Sequence, residues 1–371
     1  MPAPHNVNEA LADEAIHHAV DLHAYSNGVV RRLIAVLNKA DARLFSQLQT
    51  MLADMDPASF TVQRLELLLQ SVRALNADVY RQFEAALLTD VQSLSGAEAE
   101  YQAQLMRSVL PPQLSVASIT QEQVYAAALS RPMQGRLLKE WAQSLEIGRA
   151  ARIRDTLRMG YVEGKTTDQL VRELRGTRAK GFSDGIIEID RRDAERVVRT
   201  AMSHTAGTAR DQFNRANLDL IKAVVWRSTL DSRTSNWCRL RDGKQYTPEG
   251  HKPIDHEYPW GAGPGRAHWC CRSVSSVVTK SYKELGGADV PEFTASQRAS
   301  MDGQVPADLS YSDWLKKQSA QRQDQVLGPT RGKLLRDGGL TMEKFANDKG
   351  VWLDLEQLRE RNAAAFRRAG L

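Results

Sequence analysis

All three cysteines of this chain, Cys238, Cys270 and Cys271, fall in one stretch that also carries His268. A hairpin and a loop between Cys238 and the later residues would bring thiolates and an imidazole together around Zn²⁺, a soft-ligand set with Cys238, His268 and Cys271 as its members. Cys270, His251 or His256 are candidates for a further ligand. The plainer use of Cys238 and Cys271 is as small buried apolar residues, with Cys270 exposed. An odd cysteine count with two adjacent residues does not suit a disulfide framework.

Asp231 and Arg233 offer a catalytic acid and an anion clamp. In a tight turn, however, an aspartate accepts its own backbone amides, which leaves Arg233 for Asp242 or a carbonyl. Arg272 has the forked donor geometry to lock such a loop. No nucleophile stands beside a base, so structural roles are expected of these residues. Trp226, Trp237, Trp260 and Trp269 could stack on bases, but four indoles in a small strand-rich region more often form its core. His204, among Ser203, Thr205 and Thr208, is expected to be capped or solvent-facing. Arg191, Arg192, Arg196 and Arg199 form one basic face, and Arg331, Lys333 and Arg336 another, either of which suits phosphate. Asp190, Asp193 and Glu195 beside the first favour a solvated, salt-bridged surface over DNA contact.

The elements that must position these residues are mostly helical. From Asn8 to about Arg107 apolar residues recur at three-and-four spacing, as in Val30, Leu33, Ile34 and Leu37, which predicts long helices broken at Asp56-Pro57 and Pro111-Pro112. Further helices are expected from about Thr120 to Tyr161, interrupted at Pro132, and from Thr167 to Leu174, capped by Thr166 or Thr167. Another is expected from Asp190 to Ala216. Beyond Leu220, Ala223, Val225, Arg227 and Thr229 alternate with Val224, Trp226 and Ser228, which reads as short strands. Asp242-Gly243 signals a hairpin, Gly261 to Gly265 an irregular loop, and Val274 to Val278 a further strand. Gly286-Gly287 with Pro291, and Gly303 to Pro306, read as linkers. Helices resume over Tyr311–Leu327, Arg331–Leu335, Thr341–Phe345 and Leu355–Phe366.

The fold expected is mainly α with a small α+β central domain, an Arg-rich helix packed on short antiparallel strands. The segments are an N-terminal helical region (1–110), a helical connector (111–180), the central domain (181–282), a linker (283–310) and a C-terminal helical extension (311–371). Several domains suit a length of 371 residues. A net charge of +5 permits nucleic-acid contact without demanding it. No apolar stretch approaches the roughly 20 residues of a membrane helix, and residues 1–9 lack the pattern of a secretory signal, so a soluble, non-secreted protein is expected.

The block from Trp226 to Ser273 carries Trp226, Asp231, Arg233, Thr234, Cys238, Gly243, Lys244, Pro264, His268, Cys271 and Arg272. It resembles the phage head-morphogenesis family typified by the Mu F protein. Members carry a tryptophan-ended strand, an Asp-x-Arg-Thr turn, a cysteine, a Gly-Lys turn and a closing His-x-x-Cys-Arg segment. The shared structural motif here is Trp226, Asp231, Arg233, Thr234, Gly243, Lys244 and Arg272. The likeness spans about Ile153 to Leu358, with Trp314-Leu315-Lys316, Val326-Leu327-Gly328, Arg331 and Gly338 similar to a C-terminal extension of some members. It departs at Ala201, which follows Arg199-Thr200 where a glutamate is usual, and at Ser235 and Ser273, where many members have cysteine.

The resemblance implies a non-enzymatic minor capsid protein of a tailed bacteriophage, at or near the portal vertex inside the head. It implies assistance to head assembly and to DNA packaging or ejection. The partners it implies are the portal protein and/or major capsid protein in multiple copies, with viral DNA as a further one and no membrane; from the basic helical face, Arg192, Arg196 and Arg199 are the candidate contacts to DNA or a partner. Its location would be the virion, and the host cytoplasm during assembly. The competing reading is a zinc-dependent nucleic-acid-processing or ADP-ribosyl-transfer enzyme using Cys238, His268 and Cys271 or the Arg199 helix. Zn²⁺ is the one cofactor suggested.

Overall fold

The computed structural model describes residues 7–53, 62–281, 284–285, 297–300, 303–306 and 309–371. Two long helices open the chain, α1 (Val7–Ala53) and α2 (Val62–Val109). The second stops before Pro111-Pro112, where amide donors are missing; Asp56-Pro57 lies outside the described residues. Helices α3 (Gln121–Ser130) and α4 (Leu138–Val162) flank the interruption at Pro132. In α5 (Thr167–Arg175) Thr166 and Gln169 form a capping box, each side chain accepting from the other's backbone amide. Gly160 lies in α4 because a Cβ there would collide with the Leu170 side chain. Helix α6 (Ile186–Ala216) starts earlier than the Arg-rich pattern suggested.

The chain divides into two compact units, each discontinuous in sequence: residues 24–94 with 125–205, and residues 1–23, 95–124 and 206–371. Because α1, α2 and α6 each contribute to both, neither unit coincides with a sequence segment.

In the first unit Leu44, Leu48, Leu68, Leu69 and Val72 pack with Ile153, Leu157, Leu170, Leu174 and Ile187. Buried charge crosses the same helices. Asp41 on α1 meets Arg149 of α4 at 2.5 Å and Arg191 of α6 at 2.8 Å, and Arg152 donates to Asp190.

The second unit holds a four-stranded antiparallel sheet in the order β3-β2-β1-β4. Its strands are β1 (Ile221–Arg227), β2 (Gln245–Tyr246), β3 (Pro253–Ile254) and β4 (Val274–Thr279). Trp226 stands opposite Ser275, and the β1 register shifts between Ile221 and Ala223. The two alternating sets of residues read along β1 do not sort into an inner and an outer face. Residues 223–226 are buried without a break, as in a strand covered on both faces. Phe213 of α6, Met106 and Leu110 near the α2 end, and Leu11 of α1 share a core with Ile221 and Val277.

Asp242-Gly243 does not make a hairpin. It closes the short helix α7 (Asn236–Arg241) in a turn in which Lys244 N donates to Arg241 O at 2.9 Å, with Gly243 at φ 76°. Asp242 at φ −58° and ψ 126° makes this a type II turn, whose third position demands positive φ. The glycine signal was sound, but the element before it is a helix. Gly243-Lys244 then reaches β1, through Gly243 N to Trp226 O at 2.8 Å and Trp226 N to Lys244 O at 3.0 Å.

Gly286-Gly287 and Pro291 lie outside the described residues. Gly303–Pro306, expected as a linker, forms β6 against β5 (Gln297–Ser300). A two-stranded ribbon consists only of edges, which tolerate a terminal proline. The C-terminal helices are α8 (Tyr311–Lys316), α9 (Ala320–Leu327), α10 (Pro329–Arg336), α11 (Leu355–Arg361) and α12 (Ala363–Arg368), with a 3-10 turn at Met342–Phe345. Tyr311, Trp314, Leu315, Leu334 and Phe345 form their core, which takes in Leu230 and Leu240 from the β1–β2 connection.

Candidate functional site

The site is built where β1 ends and β4 begins. Asp231, in the turn after β1, accepts from the Arg233 amide at 3.0 Å and lies 3.1 Å from the Thr234 hydroxyl, which donates to Thr229 O at 2.5 Å. Arg272, just before β4, forks onto both carboxylate oxygens at 2.5 and 2.8 Å. Burial pushes the Asp231 carboxyl up, but the Arg272 fork, the Thr234 hydroxyl and the Arg233 amide outweigh it and hold the group below the usual carboxylate range. The Arg233 side chain is exposed and only 4.0 Å from Asp231, and it does not meet Asp242 as expected. Asp242 accepts the backbone amides of Ser228 at 2.7 Å and Tyr311 at 2.8 Å. A cleft of about 220 Å³ lies beside the fork, walled by Ile16, Ala19 and Val20 of α1 and by Thr229 and Val274.

Several residues that sequence reasoning passed over tie this turn to the C-terminal helices. The Tyr311 hydroxyl donates to Asp231 O at 2.6 Å. Arg239 donates to Ser232 O at 3.1 Å and Val326 O at 3.0 Å, with its guanidinium over the Tyr311 ring. Arg241 donates to Trp237 O and Pro259 O and lies 3.3 Å from the centre of the Trp237 ring. Burial pushes Arg241 down to about 10. No local pattern marks them: positions 239 and 241 fall about 200° apart around a helix of only six residues, yet both side chains are buried.

Beside this lattice the structure gathers Cys238, His268 and Cys271, whose ligand atoms all lie within 4.8 Å of one another. The Ser235 hydroxyl caps α7 by accepting from Cys238 N at 3.3 Å, and it lies 2.8 Å from His268 Nε2. Cys238 Sγ is 3.3 Å from His268 Nε2 and 3.8 Å from Cys271 Sγ. His268 Nδ1 is 2.9 Å from Trp269 O. A carbonyl only accepts, so Nδ1 carries a proton and Nε2 faces the sulfurs. The hydrogen bond with Cys271, then burial, push the Cys238 thiol well up, whereas bonds from Cys238 and His268 hold Cys271 well down. The same bond to Cys271 raises His268. Ser273 contacts the Cys238 thiol, so Ser235 and Ser273 both border the cluster. Cys270 is half-buried outside it, while His251 stacks on Trp260 and His256 bonds Gln245 O.

Trp226 and Trp260 are buried and meet edge to face at 5.3 Å, with Tyr246 against Trp260 at 4.8 Å. His204 is buried rather than solvent-facing, its Nε2 3.1 Å from Ala128 O; its polar sequence neighbours concealed this. The basic faces are engaged internally. Arg199 pairs with Glu195 at 2.7 Å, Arg196 with Asp193 at 3.6 Å, and Arg192 reaches Glu188 O at 3.4 Å. Arg331 donates to Leu353 O and Arg336 pairs with Asp324.

Residues 151–276 match the family model described as Phage Mu protein F like protein. The chain carries a Mu F-like region. No curated protein and no solved structure gave a significant match. The Mu F-like region runs from within α4 into β4 and contains the Asp231–Arg272 fork and the Cys238, His268, Cys271 cluster. Trp314, Leu327, Arg331 and Gly338, which resemble an extension of some members, lie beyond the match.

Proposed function

We propose that the chain is a structural minor capsid protein of a tailed bacteriophage, present in few copies at or near the portal vertex inside the head. The Mu F-like match over residues 151–276 supports a phage head-related role. The observation that carries the structural reading is the fate of the motif residues. Asp231, Thr234 and Arg272 spend their hydrogen-bonding groups on one another and on the turn. Asp242, in the adjoining turn, is taken by backbone amides on either side. A module fixed in this way presents shape and surface to neighbours, as an assembly protein does. Its partners would be the portal protein and/or major capsid protein, with viral DNA as a further contact during packaging or ejection. Among the described residues no helix is long and apolar enough to cross a membrane.

Quantitative mass spectrometry of purified virions tests this. The protein should be present at few copies per particle, and deleting its gene should yield defective or empty heads. Its absence from particles, together with normal heads in the deletion, would overturn the proposal.

A further inference from the structure

We propose that Cys238, Cys271 and His268 bind a zinc ion, with Ser235 beside a fourth coordination position filled by solvent. The proposal is independent of the capsid reading. Zinc sits about 2.3 Å from thiolate sulfur and about 2.0–2.1 Å from imidazole nitrogen, so tetrahedral ligands lie roughly 3.8 Å apart for two sulfurs and roughly 3.5 Å for sulfur and nitrogen. The 3.8 Å between Cys238 and Cys271 and the 3.3 Å between Cys238 and His268 Nε2 are such edges.

The supporting contacts also suit a metal. Trp269 O fixes the His268 ring through Nδ1 and turns Nε2 inward, the usual outer contact of a ligating histidine. Two thiolates and a neutral imidazole make a neutral complex with Zn²⁺, which lowers the cost of burying it between Cys238 and Cys271. The two thiol protons leave to solvent as the sulfur–metal bonds form. Ser235 stands one turn before Cys238, with its Oγ 2.8 Å from Nε2. A neutral hydroxyl is a weak zinc ligand, so it is placed to hydrogen-bond a coordinated water. The ion would join the first turn of α7 to the loop leading into β4, a link across the same gap that Asp231 and Arg272 span.

The test uses the full chain purified under reducing conditions. Elemental analysis should find one equivalent of zinc, and exchange with Co²⁺ should give the visible bands of a tetrahedral site together with a thiolate charge-transfer band. Ser235→Cys should tighten zinc binding on the order of tenfold or more, because it adds a thiolate at the fourth position. Protein that carries no zinc and takes up no Co²⁺ would overturn the site, as would a mass deficit from a Cys238–Cys271 disulfide in the fresh protein. An unchanged affinity in Ser235→Cys would overturn the placement of the fourth position. These readouts on the wild-type chain decide the matter even if Cys271→Ser or His268→Ala fails to fold.

Discussion

Arg272 grips the Asp231 carboxylate with both terminal nitrogens, at 2.5 and 2.8 Å, and so fastens the turn after β1 to the segment that leads into β4. Because β1 and β4 are neighbours in the sheet, the fork closes one end of the ladder that their backbone amides already form. The same Asp231 offers its carbonyl to the Tyr311 hydroxyl, so one residue carries both the closure and the docking of α8.

Asp231→Asn should lower the unfolding free energy by about 2 kcal/mol, since charge-assisted bonds contribute about 1.5–3 kcal/mol and the asparagine keeps only one acceptor oxygen. Arg272→Lys should cost less than Arg272→Ala, because lysine keeps the charge and loses the fork. Denaturant unfolding of the three variants checks this. Equal stability of wild type and Asp231→Asn would mean that the fork does not hold the turn.

The pH dependence follows from the sign of the Asp231 shift. Its folded carboxyl titrates below the ordinary 3.8, so the fork's contribution is complete above that value and is lost as pH falls through the lower folded value. The stability difference between wild type and Asp231→Asn should therefore be constant above about pH 5 and shrink below about pH 4. A difference that stays constant to pH 2.5 would separate Asp231 from the acid response.

Much of this arrangement was legible before any coordinates. The prolines at 111–112 and 132 and the Thr166 cap marked helix limits because each acts on the backbone within a turn of itself. The Arg272 fork and the Cys238, His268, Cys271 grouping were also foreseeable, since few side chains in the block can do what they do. Partners set by the tertiary fold were not. Nothing local distinguishes Arg239 and Arg241 from surface arginines until Val326 and Pro259 arrive from elsewhere in the chain. The burial of His204 likewise depends on Ala128, seventy-six residues away. The pairing of Gly303–Pro306 with Gln297–Ser300 involves too few residues for periodicity to register.

Tyr311→Phe should loosen the C-terminal helices while leaving the sheet in place. The variant keeps the ring under Arg239 and removes the bond to Asp231 O, leaving that buried acceptor short of a partner. A loss of about 1–2 kcal/mol is expected. Hydrogen exchange should quicken in Tyr311–Lys316 more than in β1. Uniform acceleration across both would show instead that the C-terminal helices and the sheet open as one unit.

The largest single effect is expected in the other unit, at Asp41. Its two oxygens receive Arg149 at 2.5 Å and Arg191 at 2.8 Å, linking α1 to α4 and α6, and both Asp41 and Arg149 are almost wholly buried. Asp41→Ala strands the Arg149 guanidinium in the interior, and breaking a buried pair from one side costs about 3–5 kcal/mol. Asp41→Ala with Arg149→Met should recover part of that loss, because a flexible apolar side chain can fill the space without an uncompensated charge. Thermal unfolding of the single and double variants checks the coupling. If the double variant is no more stable than Asp41→Ala, the penalty comes from the cavity rather than from the stranded charge.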